Sequence, residues 1–120
     1  MDLPSYSPGL HKLVTLHVDE ILKLTNSKDF VAVTDSILEN YKLEKTGLVV
    51  HNFDDESFTV LVSMQKSHIC IHTSTAYNRL TLDVYLSNYL EDNSEKVRNI
   101  TTDYIAYFDA EMIKDFEINR

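Results

Sequence analysis

From Leu10 to Val18 apolar and polar residues alternate with a period of two. Leu10, Lys12, Val14, Leu16 and Val18 fall on one side and His11, Leu13, Thr15 and His17 on the other, the pattern of a strand with one covered face. The period then changes. Asn26-Ser27 reads as a helix cap, Asp29 suits the first turn, and Phe30, Val33, Thr34, Ile37, Leu38 and Tyr41 recur at helical spacing, predicting a helix that ends near Glu44, before Gly47. Four short strands follow, Leu48 to Phe53, Phe58 to Gln65, Ser67 to Thr73 and Leu80 to Ser87, rich in Val, Ile, Leu and Thr and separated by polar turns such as Asp54-Asp55-Glu56. Asn93 caps a second helix with the stripe Val97, Ile100, Tyr104, Ile105 and Phe108, and Met112 to Ile118 completes the chain as a strand.

The order β-α-β-β-β-β-α-β predicts an α+β fold, a two-layer sandwich of an antiparallel sheet with both helices on one face. Leu82, Val84 and Leu86 alternate with Asp83, Tyr85 and Ser87, so the second sheet face is polar and aromatic, suited to a dimer interface or a ligand site.

Composition narrows the function classes. A chain of 120 residues, 43% hydrophobic and 25% charged, fits one domain spanning 1–120. It has no apolar run near the ~20 residues needed to cross a bilayer. Its start, Met1-Asp2-Leu3-Pro4, lacks the basic-then-apolar signature of a signal peptide, so a cytoplasmic protein with no membrane contact is expected. The single cysteine, Cys70, has no internal disulfide partner and suits a reducing compartment. A net charge of −8 without any Lys/Arg cluster argues against nucleic acid and would suit a small cationic amino-acid-type ligand.

The chemistry concentrates in Lys66-Ser67-His68-Ile69-Cys70-Ile71-His72-Thr73, where a serine opens a strand with two histidines behind it, the residue types of a nucleophile and its base. Strand parity sets Ser67 and His72 on opposite faces, so a direct pair within one chain requires a break in the pleat before Ser67. His68, Cys70 and His72 share a face, but a zinc ion needs further ligands from elsewhere, and no metal is expected. Phe53 reads equally as sheet packing or as a stacking platform.

Ser67-His68-x-x-Ile71-His72-Thr73, followed by Leu82-Asp83-Val84-Tyr85, resembles the small bacterial and archaeal S-adenosylmethionine decarboxylases, and the element order resembles theirs from about Gly9 to the last strand. The resemblance implies a proenzyme that cuts itself between Lys66 and Ser67, a pyruvoyl cofactor derived from Ser67, and a homodimer with the sheet faces between protomers. In that scheme the Ser67 hydroxyl attacks the Lys66 carbonyl, the resulting ester is eliminated to dehydroalanine, and hydrolysis leaves the pyruvoyl group. The resemblance assigns His72 as processing base, Thr59 as the assisting hydroxyl, Phe53 as the aromatic that stacks on adenine, and Asp83 as a further substrate-side residue. The pyruvoyl group would then accept the substrate amine and act as electron sink for loss of carbon dioxide, in the service of polyamine (spermidine) synthesis.

Three positions depart from the family pattern. Ser87 stands where the family has its proton-donating cysteine, and a hydroxyl is a far weaker acid than a thiol. Lys66 replaces the glutamate before the cleavage serine, and Ser74-Thr75-Ala76 replaces the segment whose carboxylate would hold the ribose hydroxyls. The alternative expectation is therefore an uncleaved, non-catalytic homologue serving as a dimeric ligand-binding or regulatory module.

Overall fold

The computed structural model describes residues 6–88 and 91–120; Pro4 in the lead and the other residues of 1–5 lie outside that range. The elements are β1 (Leu10–His17), a 3-10 turn (Ile21–Leu24), α1 (Ser27–Asn40), β2 (Lys45–Asn52), β3 (Phe58–Met64), β4 (Ser67–Ser74), β5 (Arg79–Leu86), α2 (Ser94–Phe108) and β6 (Glu111–Asn119). They form one antiparallel six-stranded sheet in the order β2-β3-β4-β5-β1-β6, with α1 over β2 and β3 and α2 over β1 and β5. This is the expected α+β sandwich. The last strand returns to pair with the first, which places β1 in the sheet interior.

Alternation decides which face each strand buries. Leu10, Val14 and Leu16 of β1, Val60 and Val62 of β3, Ile69 and Ile71 of β4, and Leu80, Leu82, Val84 and Leu86 of β5 all turn toward the helices and are buried. The helices contribute Phe30, Ile37, Leu38, Val97, Ile100, Tyr104 and Phe108. At the centre Phe30 stacks on Tyr104 with ring centroids 5.3 Å apart, and Phe58 and Phe108 close around it at 5.9 and 6.2 Å. The one polar end of this cluster is satisfied, because the Tyr104 hydroxyl lies 2.7 Å from Thr34 Oγ1.

Local chemistry moves several boundaries from their expected places. Helix α1 stops at Asn40 rather than near Glu44, because Lys42 turns into the left-handed region (φ 57°) and the Leu43 amide donates back to the Leu38 carbonyl. Strand β2 consequently starts at Lys45, with a register shift before Gly47, where a Cβ would lie 2.7 Å from Ser63 Oγ. Asn26 does cap α1, its side chain accepting from the Asp29 amide at 3.0 Å. Asn93 does not cap α2 with its side chain; Asp92 Oδ1 accepts from the Ser94 amide, while Asn93 Nδ2 donates to the Ser87 carbonyl at 2.7 Å.

Lys12 shares the parity of the buried β1 residues and is itself largely buried, its charge held by Asp115 at 2.6 Å and Glu117 at 3.2 Å. Glu117 also receives a forked pair from Arg98 at 2.9 and 3.2 Å. Arg98 foremost, then Lys12, hold the Glu117 carboxyl at about 2, below its ordinary 4.5. A depressed carboxylate stabilises the fold fully above pH 4.5, and the contribution is lost as pH falls toward 2. Glu117→Gln should therefore be less stable than wild type at neutral pH and converge with it across that acid window. Urea denaturation of both proteins checks this, and added salt should narrow the neutral-pH gap because the network is exposed.

Candidate active site

The ladder between β3 and β4 is regular from Thr59↔His72 to Met64↔Ser67, and Gln65-Lys66 forms a two-residue turn between the strands. No break in the pleat precedes Ser67. Ser67 lies on the parity of Ile69 and Ile71, and His72 on the open face with His68 and Cys70. Five residues of strand separate them, about 16 Å at ~3.3 Å per residue. The serine and the histidine of the motif do not meet within one chain.

Each instead sits in its own cleft. The first, about 380 Å³, is lined by Lys42, Leu43, Glu44, Met64, Gln65, Lys66, Ser67 and Ser87, and so contains the Lys66-Ser67 peptide. In it the Ser87 amide donates to Ser67 Oγ at 3.1 Å, holding that hydroxyl against the end of β5. Asn93, through the Ser87 carbonyl, fixes the same segment.

The second cleft, about 590 Å³, is lined by Phe53, Asp54, Asp55, Ser57, Thr59, His72 and Thr73. Thr59 and His72 are cross-strand partners, with Thr59 Oγ1 2.7 Å from His72 Nδ1. Cys70 Sγ lies 3.5 Å from His72 Nε2. A neutral imidazole donates through one nitrogen and accepts through the other, so a proton on Nδ1, given to Thr59, leaves Nε2 as the base. Burial, with Asp83 adding to it, pushes the Cys70 thiol up, so it faces His72 as a thiol rather than a thiolate.

Phe53 is 48% exposed, projects at the cleft mouth and meets the His51 ring at 4.5 Å. Asp54 and Asp55 give the rim its negative charge; hydrogen bonds from the Ser57 hydroxyl and amide hold Asp55 below the usual carboxylate range. Read from sequence, Asp54-Asp55-Glu56 was a turn and nothing more. Thr73 also acquires a role that its place in the motif did not reveal: buried, it accepts from the Phe58 amide at 2.8 Å and donates to the Leu24 carbonyl at 2.8 Å, bracing β3, β4 and the 3-10 turn behind His72.

Asp83 is not part of either cleft. It lies mid-face between Cys70 and Leu13, three strands from β2, whose end carries Phe53, or about 14 Å at ~4.8 Å per strand. Among the described residues no group of three or more His, Cys, Asp or Glu side chains is placed to hold a metal ion, and no helix is long and apolar enough to cross a membrane.

Residues 13–120 match the family described as S-adenosylmethionine decarboxylase. The chain belongs to the S-adenosylmethionine decarboxylase family. The S-adenosylmethionine decarboxylase proenzyme of Sulfurihydrogenibium sp. (strain YO3AOP1) is 29% identical over 77 residues, which cover 64% of this chain and 58% of that protein, so the match spans less than two thirds of this relative's length. The crystal structure of the adenosylmethionine decarboxylase from Aquifex aeolicus VF5 superposes with a TM-score of 0.83 at 23% identity, covering 97% of this chain and 92% of that one. Its likeness establishes that the two share a fold.

Within this S-adenosylmethionine decarboxylase fold, the departures from the family motif cluster in space. Lys66 and Ser87 both line the Ser67 cleft. Ser74-Thr75-Ala76 leaves β4 beside the other cleft, where Thr75 Oγ1 bonds the Asp55 carbonyl at 3.4 Å and so ties the altered segment to the acidic turn.

Proposed function

We propose that this chain is a self-processing, pyruvoyl-dependent decarboxylase of the S-adenosylmethionine type, working as a homodimer in the cytoplasm and supplying polyamine synthesis. The Thr59–His72 pair carries the reading: a hydroxyl 2.7 Å from a strand-borne imidazole, in a cleft with an exposed aromatic ring and two carboxylates. Phe53 is suited to stack on a flat base. Asp54 and Asp55 offer the acceptors that Ser74-Thr75-Ala76 no longer supplies, for sugar hydroxyls or for the charge of a cationic amino acid.

The pyruvoyl group fits the Ser67 position because Ser67 follows an exposed two-residue turn and its side-chain oxygen already faces the Ser87 amide donor. That group supplies the electron sink for decarboxylation. The chain's own residues make it. Ser67 Oγ attacks the Lys66 carbonyl and the peptide nitrogen leaves. Loss of the Ser67 Cα proton to His72 expels Lys66 as a carboxylate, and water then releases ammonia from the remaining dehydroalanine. Because Ser67 and His72 lie about 16 Å apart in one chain, the base must come from a second copy. Packing two open faces with strands reversed would set the partner's His72 over the start of β4, where the Ser67 Cα and the Lys66 carbonyl lie at the end of the strand, although the Ser67 side chain itself is on the helix side. The face carries apolar surface for this, with Val49 and Leu61 toward one edge and Phe116 and Ile118 toward the other, all exposed in the single chain.

Mass spectrometry of the purified protein tests the proposal. Chains Met1 to Lys66 and residue 67 to Arg120, the second with a blocked pyruvoyl end, are the expected products, and Ser67→Ala should yield only the full-length chain. Full-length wild-type chain after prolonged incubation would overturn the enzymatic reading and leave a binding module.

A further inference from the structure

His11 is on the open face, yet only 7% of it is exposed. Arg120 donates to its Nδ1 at 3.1 Å, which places the ring proton on Nε2. That Nε2 is buried without a hydrogen-bond partner among the described residues; the nearest carboxylate oxygen, on Asp83, is 3.8 Å away. His68 from β4 meets the His11 ring edge-on at 5.4 Å, and Tyr85 from β5 at 5.7 Å. On β6 the neighbour across the ladder is Ile118, which is uncharged. In the lead, Tyr6 donates to the Arg120 carbonyl, and the Gly9 and Arg120 backbones exchange two hydrogen bonds at 3.0 Å, so Arg120 is fixed over the face. The Arg120 guanidinium also lies 5.8 Å from the Tyr85 ring.

We infer that this His11–Arg120–Asp83 cluster makes pairing of two copies through the open face proton-sensitive, with neutral His11 required for the paired state. The inference rests on the dimer proposed above. A second proton on His11 has only Nδ1 to occupy. There it would point an N–H donor at an Arg120 N–H donor and set two cations side by side. Burial pushes the His11 pKa below its ordinary 6.5, His68 and Arg120 push the same way, and Asp83 opposes them. Covering the face with a second copy strips more water from these charges and raises the cost of the cation further. Pairing is then strongest above the single chain's His11 pKa and weakens as pH falls through it.

Sedimentation equilibrium of the full chain at about pH 7.5 and about pH 5 tests this, since histidine changes charge between those limits. Wild type should pair at the higher pH and weaken about tenfold or more at the lower, tenfold corresponding to about one unit of pKa difference summed over the two His11 side chains of a pair. His11→Gln should lose that pH response. Arg120→Gln, which leaves the ladder backbone intact, should shrink it by relieving the like charge. Wild type paired equally at both pH values overturns the inference and leaves the dimer standing. A monomer at both overturns the dimer and the inference together. An unchanged pH response in both variants assigns the effect to other groups and overturns the role of His11.

Discussion

Co-expressed in one cell, Ser67→Ala and His72→Ala chains should restore the cleavage that neither shows alone. The expectation follows from the β4 ladder, which holds the two residues on opposite faces and five positions apart. A mixed pair contains one intact combination, Ser67 of the His72→Ala chain with His72 of the Ser67→Ala chain. With random pairing half the dimers are mixed, so about a quarter of all chains should be cut, every one of them a His72→Ala chain. Intact-mass analysis distinguishes the two chains by their substitutions. Cleavage of His72→Ala expressed alone would remove His72 from the role of base. A mixture that stays uncut while wild type processes would show that the chain reaches its own histidine by rearranging the turn at Gln65-Lys66.

The largest loss of stability from one substitution is expected for Phe30→Ala. Phe30, on α1, is fully buried and touches two aromatic side chains of α2 and one of β3, so its removal leaves a cavity that three rigid neighbours cannot fill. The cost should be about 3–5 kcal/mol, a large part of the roughly 5–15 kcal/mol that holds a domain folded. At about 4 °C per kcal/mol for a chain of this size the melting temperature should fall by roughly 10–20 °C. Tyr104→Phe, which keeps the stack and leaves the Thr34 hydroxyl unpaired, should cost only about 1 kcal/mol. Thermal unfolding followed by circular dichroism measures both, and equal losses would mean that the hydroxyl rather than the ring packing holds the helices together.

What was legible in the sequence was whatever depends on near neighbours. The alternation of Leu82, Val84 and Leu86 with Asp83 and Tyr85 showed the buried and open faces of β5, and parity already placed Ser67 and His72 apart. The early end of α1 was hidden because Tyr41 and Leu43 prolong the apolar spacing and the left-handed turn falls on Lys42 rather than on a glycine, while the bulge before Gly47 belongs to the pairing with β3. The 3-10 turn at Ile21–Leu24 carries no periodic signal, and Asn93 resembles a cap while its side chain braces Ser87. Strand order was beyond local reading, since β1 joins β5 and β6 from the far end of the chain. The same reason concealed His11, whose surroundings are made by Arg120, 109 positions away.

That strand order also governs what becomes of a chain severed at Lys66-Ser67. The upstream piece holds β1, α1, β2 and β3, and the downstream piece β4, β5, α2 and β6. Three of the five ladders, β3–β4, β1–β5 and β1–β6, then join different polypeptides, and β1 is wedged between two strands of the other piece. The pieces are interlocked like a dovetail, so the cut chain keeps its shape while folded. Once unfolded, the same two pieces must find each other by diffusion, and a closure that was local in the intact hairpin becomes a bimolecular encounter. Maturation would in this way turn a chain able to refold by itself into an assembly whose recovery depends on concentration.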